Sequence, residues 1–197
     1  MNFLSHLYLA GNSEGLIIGN YIADSVKGSD FNNFSKEIQE GITLHRKIDT
    51  FTDSHPVVEQ SKQRLREKYK KYAGVIVDIY YDHYLAINWN IYSDVELETF
   101  VNRIYFLINN NLSILPVKSA MFTKYMLQHN ILLGYSRLEG IEKVLKGMAR
   151  RTSFESNMEY AIDDLKEHFI LFENEFKEFF PELKQYVDEE ITNSLIL

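Results

Sequence analysis

The segment of residues 74–90 constrains the fold more than any other part of the sequence, because its apolar side chains would cover a helix on nearly every side. These side chains are Val75, Ile76, Val77, Ile79, Tyr80, Tyr81, Tyr84, Leu85, Ile87 and Trp89. A helix that is apolar all round is buried. We therefore expect other elements to enclose this helix, and the apolar residues, 45% of the chain, suffice for a core.

Helical periodicity extends along most of the 197 residues, which include only three prolines and nine glycines. We predict an all-α fold: a single compact helical domain over residues 1–197, with acidic C-terminal helices at 154–194 packed on the core. Pro56 and Pro181 are expected in the first turns of helices. The predicted helices span residues 13–27, 35–53, 56–72, 74–90, 94–112, 118–134, 137–150, 154–180 and 182–194.

Three of these helices carry acidic residues on apolar faces. His45, Asp49 and Asp53 are spaced i, i+4, i+8 along helix 35–53, so all three project from one side, among Ile and Leu side chains. The pattern recurs in two other helices as Asn20 with Asp24, and as Asp78 and Asp82 with His83. These side chains are therefore expected to point into the interior rather than into solvent.

A divalent cation would resolve this burial of acids, since an unpaired buried carboxylate is costly and these helices supply few inward-facing basic residues. The chain has no cysteine, which leaves His, Asp and Glu as ligands. Imidazole and carboxylate together are compatible with Mn²⁺, Mg²⁺, Fe²⁺ or Zn²⁺. The predicted ligands are Asp24, His45, Asp49, Asp53, Asp82 and His83. Asn20 and Asp78 are expected to orient these ligands without binding the ion themselves.

Charge is distributed unevenly within the net charge of −7. The acidic C-terminal part does not suit nucleic-acid binding, which needs a basic face. The run of residues 62–71 is basic, and its Arg64, Arg66 and Lys70 are candidates for docking an acidic partner, although such a run is also typical of a solvated helix face. Arg150 and Arg151 lie at the end of the predicted helix 137–150, where they either stabilise the helix end or hold a phosphate.

The N-terminal sequence MNFLSHLYLAG lacks the basic region of a signal peptide, and Ser5 and His6 interrupt its apolar run. No segment has the roughly 18 consecutive apolar residues that a membrane span needs. We therefore expect a cytoplasmic protein.

Four segments together resemble the bacterial acyl carrier protein phosphodiesterases, also called acyl carrier protein phosphohydrolases. They are NFLSHLYLA (2–10), GNYIADSVKG (19–28), GITLHRKIDTFTDSHP (41–56) and AGVIVDIYYDHYLAINW (73–89). The resemblance implies an enzyme of fatty acid biosynthesis that removes 4′-phosphopantetheine from holo acyl carrier protein and depends on Mn²⁺ or a similar cation. It also implies a helical bundle related to the HD-domain phosphohydrolases.

The resemblance can be carried over to individual residues. His45, Asp49 and Asp53 match positions in the segment 41–56. Asp82 and His83 match positions in the segment 73–89, and Asp24 matches one in the segment 19–28. We expect His45, Asp49, Asp82 and His83 to be catalytic, with a histidine that is not a ligand protonating the leaving serine oxygen. The order Asp82–His83 reverses the His–Asp doublet of HD-domain enzymes. The carrier protein implied is acidic, which favours docking on the basic run.

Two alternatives remain at this point. A phosphohydrolase of nucleotides or other small phosphodiesters would need the same ligands but no docking surface. A non-enzymatic helical interaction module would simply hydrogen-bond its buried acids. The sequence does not determine the oligomeric state.

Overall fold

The chain is helical along most of its length in the computed structural model, which describes residues 1–195, with side chains through residue 193. No strand occurs within this part of the chain, which confirms the all-α prediction. The α-helices are α1 Phe3–Leu9, α2 Glu14–Ile22, α3 Lys36–Ser54, α4 Pro56–Tyr69, α5 Ala73–Ile87, α6 Trp89–Tyr92, α7 Leu97–Asn110, α8 Val117–Gln128, α9 Ile131–Gly134, α10 Leu138–Ala149, α11 Ala161–Glu167 and α12 Phe169–Leu195. Short 3₁₀ turns are Ala23–Ser25, Gly28–Asn33, Lys70–Tyr72, Leu112–Ile114 and Met158–Tyr160.

The apolar helix expected from residues 74–90 is α5, and it lies at the centre of the fold. Its residues from Ile79 to Leu85 are almost completely buried. Four helices, α1, α4, α10 and α12, pack around it. The charged side chains of α5 therefore point at neighbouring helices, and the direction in which each one points decides its role.

Helices α2 and α3 pack unusually closely, and two glycines make this possible. A Cβ atom on Gly19 would lie 2.1 Å from the carbonyl oxygen of Ile38, and one on Gly41 would lie 2.5 Å from the carbonyl oxygen of Leu16. Because backbone approaches backbone here, side chains that follow the glycines on the two helices come into direct contact. Asn20 on α2 and His45 on α3 are such a pair.

The predicted break at Pro181 is wrong, because α12 continues through this residue. A proline inside a helix removes one hydrogen bond and strains the preceding turn. Pro181 lies on the exposed side of α12, while aromatic residues before it and Leu183 and Val187 after it are buried in the core. Burial of these side chains on both sides of Pro181 outweighs the cost of the proline.

Other differences from the predicted helices affect the site. Residues 3–9 form α1, which was not predicted as a helix. The helix predicted at 13–27 ends at Ile22, so Asp24 lies in a 3₁₀ turn. The helix predicted at 118–134 breaks at Asn130, whose φ of 46° is left-handed.

Within the described residues, no helix is both long and apolar enough to cross a membrane.

Candidate metal centre

Two stacked histidines, from α1 and α3, lie at the centre of a polar cluster. The ring centroids of His6 and His45 are 4.0 Å apart, with 18° between the ring planes. Both Nδ1 atoms face one oxygen, Oδ1 of Asn20, at 2.9 Å from His6 and 3.1 Å from His45. A single buried amide on α2 therefore orients both imidazole rings.

The opposite edges of the two rings face carboxylates. Nε2 of His6 is 3.1 Å from Oδ1 of Asp49, and Nε2 of His45 is 3.1 Å from Oδ2 of the same carboxylate. Nε2 of His45 is also 3.4 Å from Oδ1 of Asp24. The ligand atoms of His6, His45 and Asp49 lie within 4.8 Å of one another, the spacing of groups that can share one metal ion.

The number of protons available in this cluster supports a cation. Each imidazole has an oxygen atom close to both of its nitrogens. Each ring would therefore need a proton on both nitrogens for every one of these contacts to be a hydrogen bond. Burial lowers the pKa of His6 to about 4, which leaves it neutral with one N–H at neutral pH. With that N–H donated to Asn20, the lone pair of Nε2 faces a negative carboxylate. A divalent ion between Nε2 and the carboxylate turns this repulsion into coordination, so the residues fit a metal.

The charge state of His45 differs from that of its neighbour. Burial alone would lower its pKa, but hydrogen bonds to Asp24 and Asp49 outweigh burial and raise the pKa to about 9. Burial acts to raise the pKa of Asp49, and its contacts with His45 and His6 hold that pKa far below its usual range. A proton on His45 thus partly balances the negative charge of Asp24 and Asp49.

The two other acids predicted as ligands near this cluster differ in position. Asp24, with 83% of its side chain exposed, lies beside His45 and faces the cleft. Asp53 lies one helical turn beyond Asp49 on α3, but its carboxylate points outward, 3.5 Å from Nζ of Lys62. The cluster therefore includes Asp24, whereas Asp53 is at its edge and has a lysine partner.

Asp82 does not face the cluster, because it accepts hydrogen bonds from the first turn of α1. Its oxygens lie 2.7 Å from the amide nitrogen of Leu4, and 3.1 Å and 2.5 Å from the amide nitrogen and Oγ of Ser5. Burial raises the pKa of Asp82 to about 6, against the opposing effect of these hydrogen bonds. Asp82 thus holds in place the helix that carries His6.

His83 also points away from the cluster. Adjacent residues of a helix project about 100° apart, so His83 faces a different neighbour from Asp82. Its Nδ1 donates to the carbonyl oxygen of Tyr135 at 2.7 Å, and Nε2 is buried without a hydrogen-bond partner. Burial lowers its pKa. The Asp82–His83 pair, predicted from sequence as ligands and catalytic groups, is therefore divided between α1 on one side and the chain around Tyr135 on the other.

Asp78 supports the cluster through the start of the chain. Its Oδ1 is 2.9 Å from the α-amino nitrogen of Met1, which is itself 4.0 Å from Oδ1 of Asp49. Asn20 thus contacts the two histidines of the cluster directly, whereas Asp78 contacts Met1, whose amino group faces Asp49. This amino group is a positive neighbour that a search for Lys and Arg side chains does not find.

His6 was not among the residues predicted from sequence. It lies in a helix of only seven residues, too short for apolar periodicity to be recognised. The available signal was its position in NFLSHLYLA, a histidine flanked by Leu4 and Leu7, which are fully buried.

The cluster lies on one side of a cleft of about 1330 Å³. Arg150 and Arg151, the predicted phosphate ligands, line the same cleft beyond the end of α10. The guanidinium of Arg151 stacks on Phe122 and Tyr125, at 5.5 Å and 5.9 Å from their ring centroids. One cleft thus brings together acidic and basic side chains.

The basic run proposed for docking does not line this cleft, and two of its three candidate residues are paired. Arg64 makes a bidentate contact with Glu175 at 2.7 Å and 2.8 Å. Arg66 lies 2.9 Å from Oε1 of Glu59. Lys70 is exposed at the end of α4, with a left-handed φ of 51°.

Comparison with known proteins gives a consistent result. A family model described as acyl carrier protein phosphodiesterase matches residues 1–183. A protein of that name from Photorhabdus laumondii is 34% identical over 182 residues, 92% of each chain. Others from Pectobacterium atrosepticum and Yersinia enterocolitica are 32% and 31% identical and cover 94% and 97% of this chain, and 96% and 100% of their own. No solved structure matches the chain significantly.

Proposed function

Since the chain belongs to the acyl carrier protein phosphodiesterase family, we propose that it hydrolyses the phosphodiester between 4′-phosphopantetheine and a serine of holo acyl carrier protein. The products are apo acyl carrier protein and 4′-phosphopantetheine, and the reaction belongs to fatty acid biosynthesis in the cytoplasm. The observation that carries the proposal is the pair of stacked histidines, His6 and His45, whose Nε2 atoms converge on the carboxylate of Asp49 at the side of a cleft.

His6, His45 and Asp49 hold the metal in this proposal, with Asp24 as a further ligand on the open side of the cleft. Mn²⁺ is favoured, and Mg²⁺, Fe²⁺ or Zn²⁺ suit the same donor atoms. When bound, such a cation polarises the phosphoryl oxygens and lowers the pKa of a coordinated water toward about 7. Asp82 and His83 are reassigned from ligands to residues that position α1 and the chain around Tyr135.

Arg150 and Arg151 bind the substrate in this proposal, and Asn20 orients the metal ligands. Arg150 and Arg151 each offer a guanidinium that can hold non-bridging phosphate oxygens. Asn20 accepts from both Nδ1–H groups and so keeps both Nε2 lone pairs directed at the cleft. The oxygen of a water molecule would attack phosphorus in line with the serine oxygen, the bond from phosphorus to that oxygen would break, and a proton from the water would end on the serine hydroxyl of the carrier protein.

Intact-mass spectrometry of the carrier protein tests this function. Holo acyl carrier protein incubated with the enzyme and Mn²⁺ should lose the mass of 4′-phosphopantetheine, and a chelator should prevent the loss. Asp49→Asn should lack activity while retaining its helical circular dichroism. Nucleotides and a small diester should be poor substrates in parallel reactions. Efficient hydrolysis of nucleotides with no change in the carrier protein would support a nucleotide phosphohydrolase instead.

A further inference from the structure

The basic side chains that line the cleft come from other elements than its acids. Acids of the cleft come from the 3₁₀ turn after α2, from α3 and from α5. The bases come from α8, α10 and the chain after α10, namely Lys118, Lys143, Lys146, Arg150 and Arg151. The acidic and the basic residues of the cleft are therefore carried by separate elements of the chain.

Lys118 and Lys143 are available to a partner. Among the described residues, neither forms an ion pair or hydrogen bond with another group. Some basic residues elsewhere are neutralised within the chain, as Lys68 is by Asp164 and Arg64 by Glu175. Two unpaired lysines at one opening, in a chain of net charge −7, form a local site for negative charge.

An exposed apolar stripe adjoins Lys118 on α8. Val117, Met121 and Tyr125 are spaced i, i+4, i+8, and 77%, 69% and 43% of their surfaces are exposed. Met121 and Tyr125 also line the cleft, so the stripe is continuous with its mouth. Apolar side chains grouped on one helix face and bordered by charge are typical of a protein-binding surface.

We propose that this mouth surface, formed by Val117, Lys118, Met121, Tyr125 and Lys143, docks the acidic face of the carrier protein. The proposal rests on the proposed function. A phosphodiester attached to a protein serine reaches the cluster only if that protein touches the rim of the cleft. The rim carries unpaired positive charge and exposed apolar area, so it fits a partner with an acidic surface around an apolar patch. The basic run at 62–71 does not line the cleft and is largely paired.

A direct binding measurement distinguishes the two surfaces. The double variant Lys118→Glu/Lys143→Glu reverses two charges at the mouth, and Arg66→Glu/Lys70→Glu reverses two charges on the basic run as a matched control. Titration calorimetry would measure the Kd for holo acyl carrier protein. We expect at least about a tenfold weaker Kd for the mouth variant at low salt, a smaller difference at high salt, and no change for the control. Equal affinities for the mouth variant and the wild type would overturn the proposal, as would weakening by the control alone.

Two further variants separate docking from folding and chemistry. Lys118→Arg/Lys143→Arg should bind like the wild type, and Met121→Asp should weaken binding at high salt as well as at low salt. The slow turnover of bis(4-nitrophenyl) phosphate, measured at high enzyme concentration, should be unchanged in every mouth variant, because the metal ligands are intact. A mouth variant with impaired turnover of this small diester would indicate damage to the site and contradict docking.

The outcome also separates this proposal from the proposed function. If wild-type enzyme binds the carrier protein through the mouth but releases no 4′-phosphopantetheine, the docking surface stands and the hydrolysis fails. If 4′-phosphopantetheine is released with the same KM by the wild type and the mouth variant, the hydrolysis stands and the docking surface fails.

Discussion

At the scale of the residue, Asn20 determines the geometry of the candidate metal centre. Its Oδ1 accepts from Nδ1 of both histidines, so each neutral ring must present an unprotonated Nε2 on the other side. Mutation of a group that orients a metal-bound histidine typically weakens metal affinity about 10- to 100-fold. The same amide also links α1 to α3, since it contacts a histidine from each.

Replacing Asn20 by Ala should weaken Mn²⁺ binding about 10- to 100-fold, because both rings lose the acceptor that fixes their tautomers. Titration calorimetry or electron paramagnetic resonance measures the affinity. Thr52→Val is the matched control, since the Thr52 hydroxyl is buried near the site without a hydrogen-bond partner. It should leave metal affinity unchanged. Equal affinity in Asn20→Ala and the wild type would show that the amide does not orient the ligands.

Proton competition at His45 should make metal binding depend on pH. The metal-free protein keeps a proton on His45 until its raised pKa of about 9, and that proton must leave before Nε2 coordinates a metal. We expect apparent affinity to rise about tenfold per pH unit between pH 6.5 and 9 and to level off above this range. The same proton stabilises the metal-free fold below pH 6.5, and this stabilisation is lost as the pH rises through about 9.

Calorimetric Mn²⁺ titrations in buffers of different ionisation enthalpy would measure both the affinity and the protons released. About one proton should be released per ion at pH 7.5. Affinity that is flat between pH 6.5 and 8.5, with no proton release, would mean that His45 is already neutral in the metal-free protein.

The sequence predicted which of the candidate site residues are buried better than it predicted what they contact. His45, Asp49 and Asp24, predicted as ligands from their spacing, do meet in the structure. Periodicity assigns a residue to a buried face but does not say which neighbour that face meets. Asp82 and His83 are buried as predicted, yet they meet α1 and the carbonyl of Tyr135, while His6 supplies the second imidazole.

At the scale of the element, the crossing of α2 and α3 sets the position of the site. Gly19 and Gly41 face each other there, and no side chain larger than a hydrogen fits between the two backbones. The crossing brings the amide of Asn20 within 3.1 Å of His45. Glycine in a helix interior weakens the helix by about 0.5–1 kcal/mol, and close packing offsets this cost here.

Gly41→Ala should reduce the free energy of unfolding by about 1–3 kcal/mol, because the added methyl group would meet the Leu16 carbonyl at 2.5 Å. Metal affinity should fall as well, since separating α2 from α3 moves Asn20 from His45. Chemical denaturation and metal titration measure the two effects. Gly74→Ala is the control: its methyl group would meet only Cδ of Lys62, at 3.7 Å, so stability should stay the same or rise. Equal stability of the two variants would contradict close packing at this crossing.

Element boundaries were predictable where side-chain pattern alone decides them, as for α3, predicted at 35–53 and observed at Lys36–Ser54. They were not predictable where tertiary packing overrides a local signal. Pro181 indicates a helix start, but the apolar residues on both sides of it keep α12 continuous. Helix α1 is short and depends on the buried carboxylate of Asp82, a contact 77 to 78 positions away in the sequence.

At the scale of the whole molecule, the cluster joins parts of the chain that are far apart in sequence. Its residues come from α1, α2, the turn after α2, and α3, and Asp82 of the central helix α5 holds α1 in place. A metal bound there would cross-link these segments in the folded state only. Ligands that bind only the folded state stabilise it by mass action.

Mn²⁺ should therefore raise the melting temperature. A concentration of 100 times the Kd contributes about 2.7 kcal/mol, which for a domain of this size corresponds to a shift of roughly 5–10 °C. Differential scanning calorimetry with and without a chelator measures the shift, and His6→Gln should not show it. A melting temperature that is indifferent to Mn²⁺ and chelator in the wild-type protein would exclude a tightly bound ion in this cluster.

The all-α architecture and the buried central helix could be predicted from composition and periodicity. The grouping of basic side chains at the cleft could not, because Lys118 and Lys143 come to line it only through the packing of α8 and α10. The basic run at 62–71 was the more conspicuous feature of the sequence. Its two arginines, however, form ion pairs within the chain: Arg64 with Glu175 of α12, and Arg66 with Glu59.

The most direct test compares two histidines in one assay of holo acyl carrier protein by intact mass. His6→Gln and His83→Gln both replace a buried histidine, and circular dichroism would verify their folds. With saturating Mn²⁺, His83→Gln should release 4′-phosphopantetheine like the wild type, whereas His6→Gln should release none. Release by His6→Gln together with inactivity of His83→Gln would contradict a catalytic metal held by His6, His45 and Asp49.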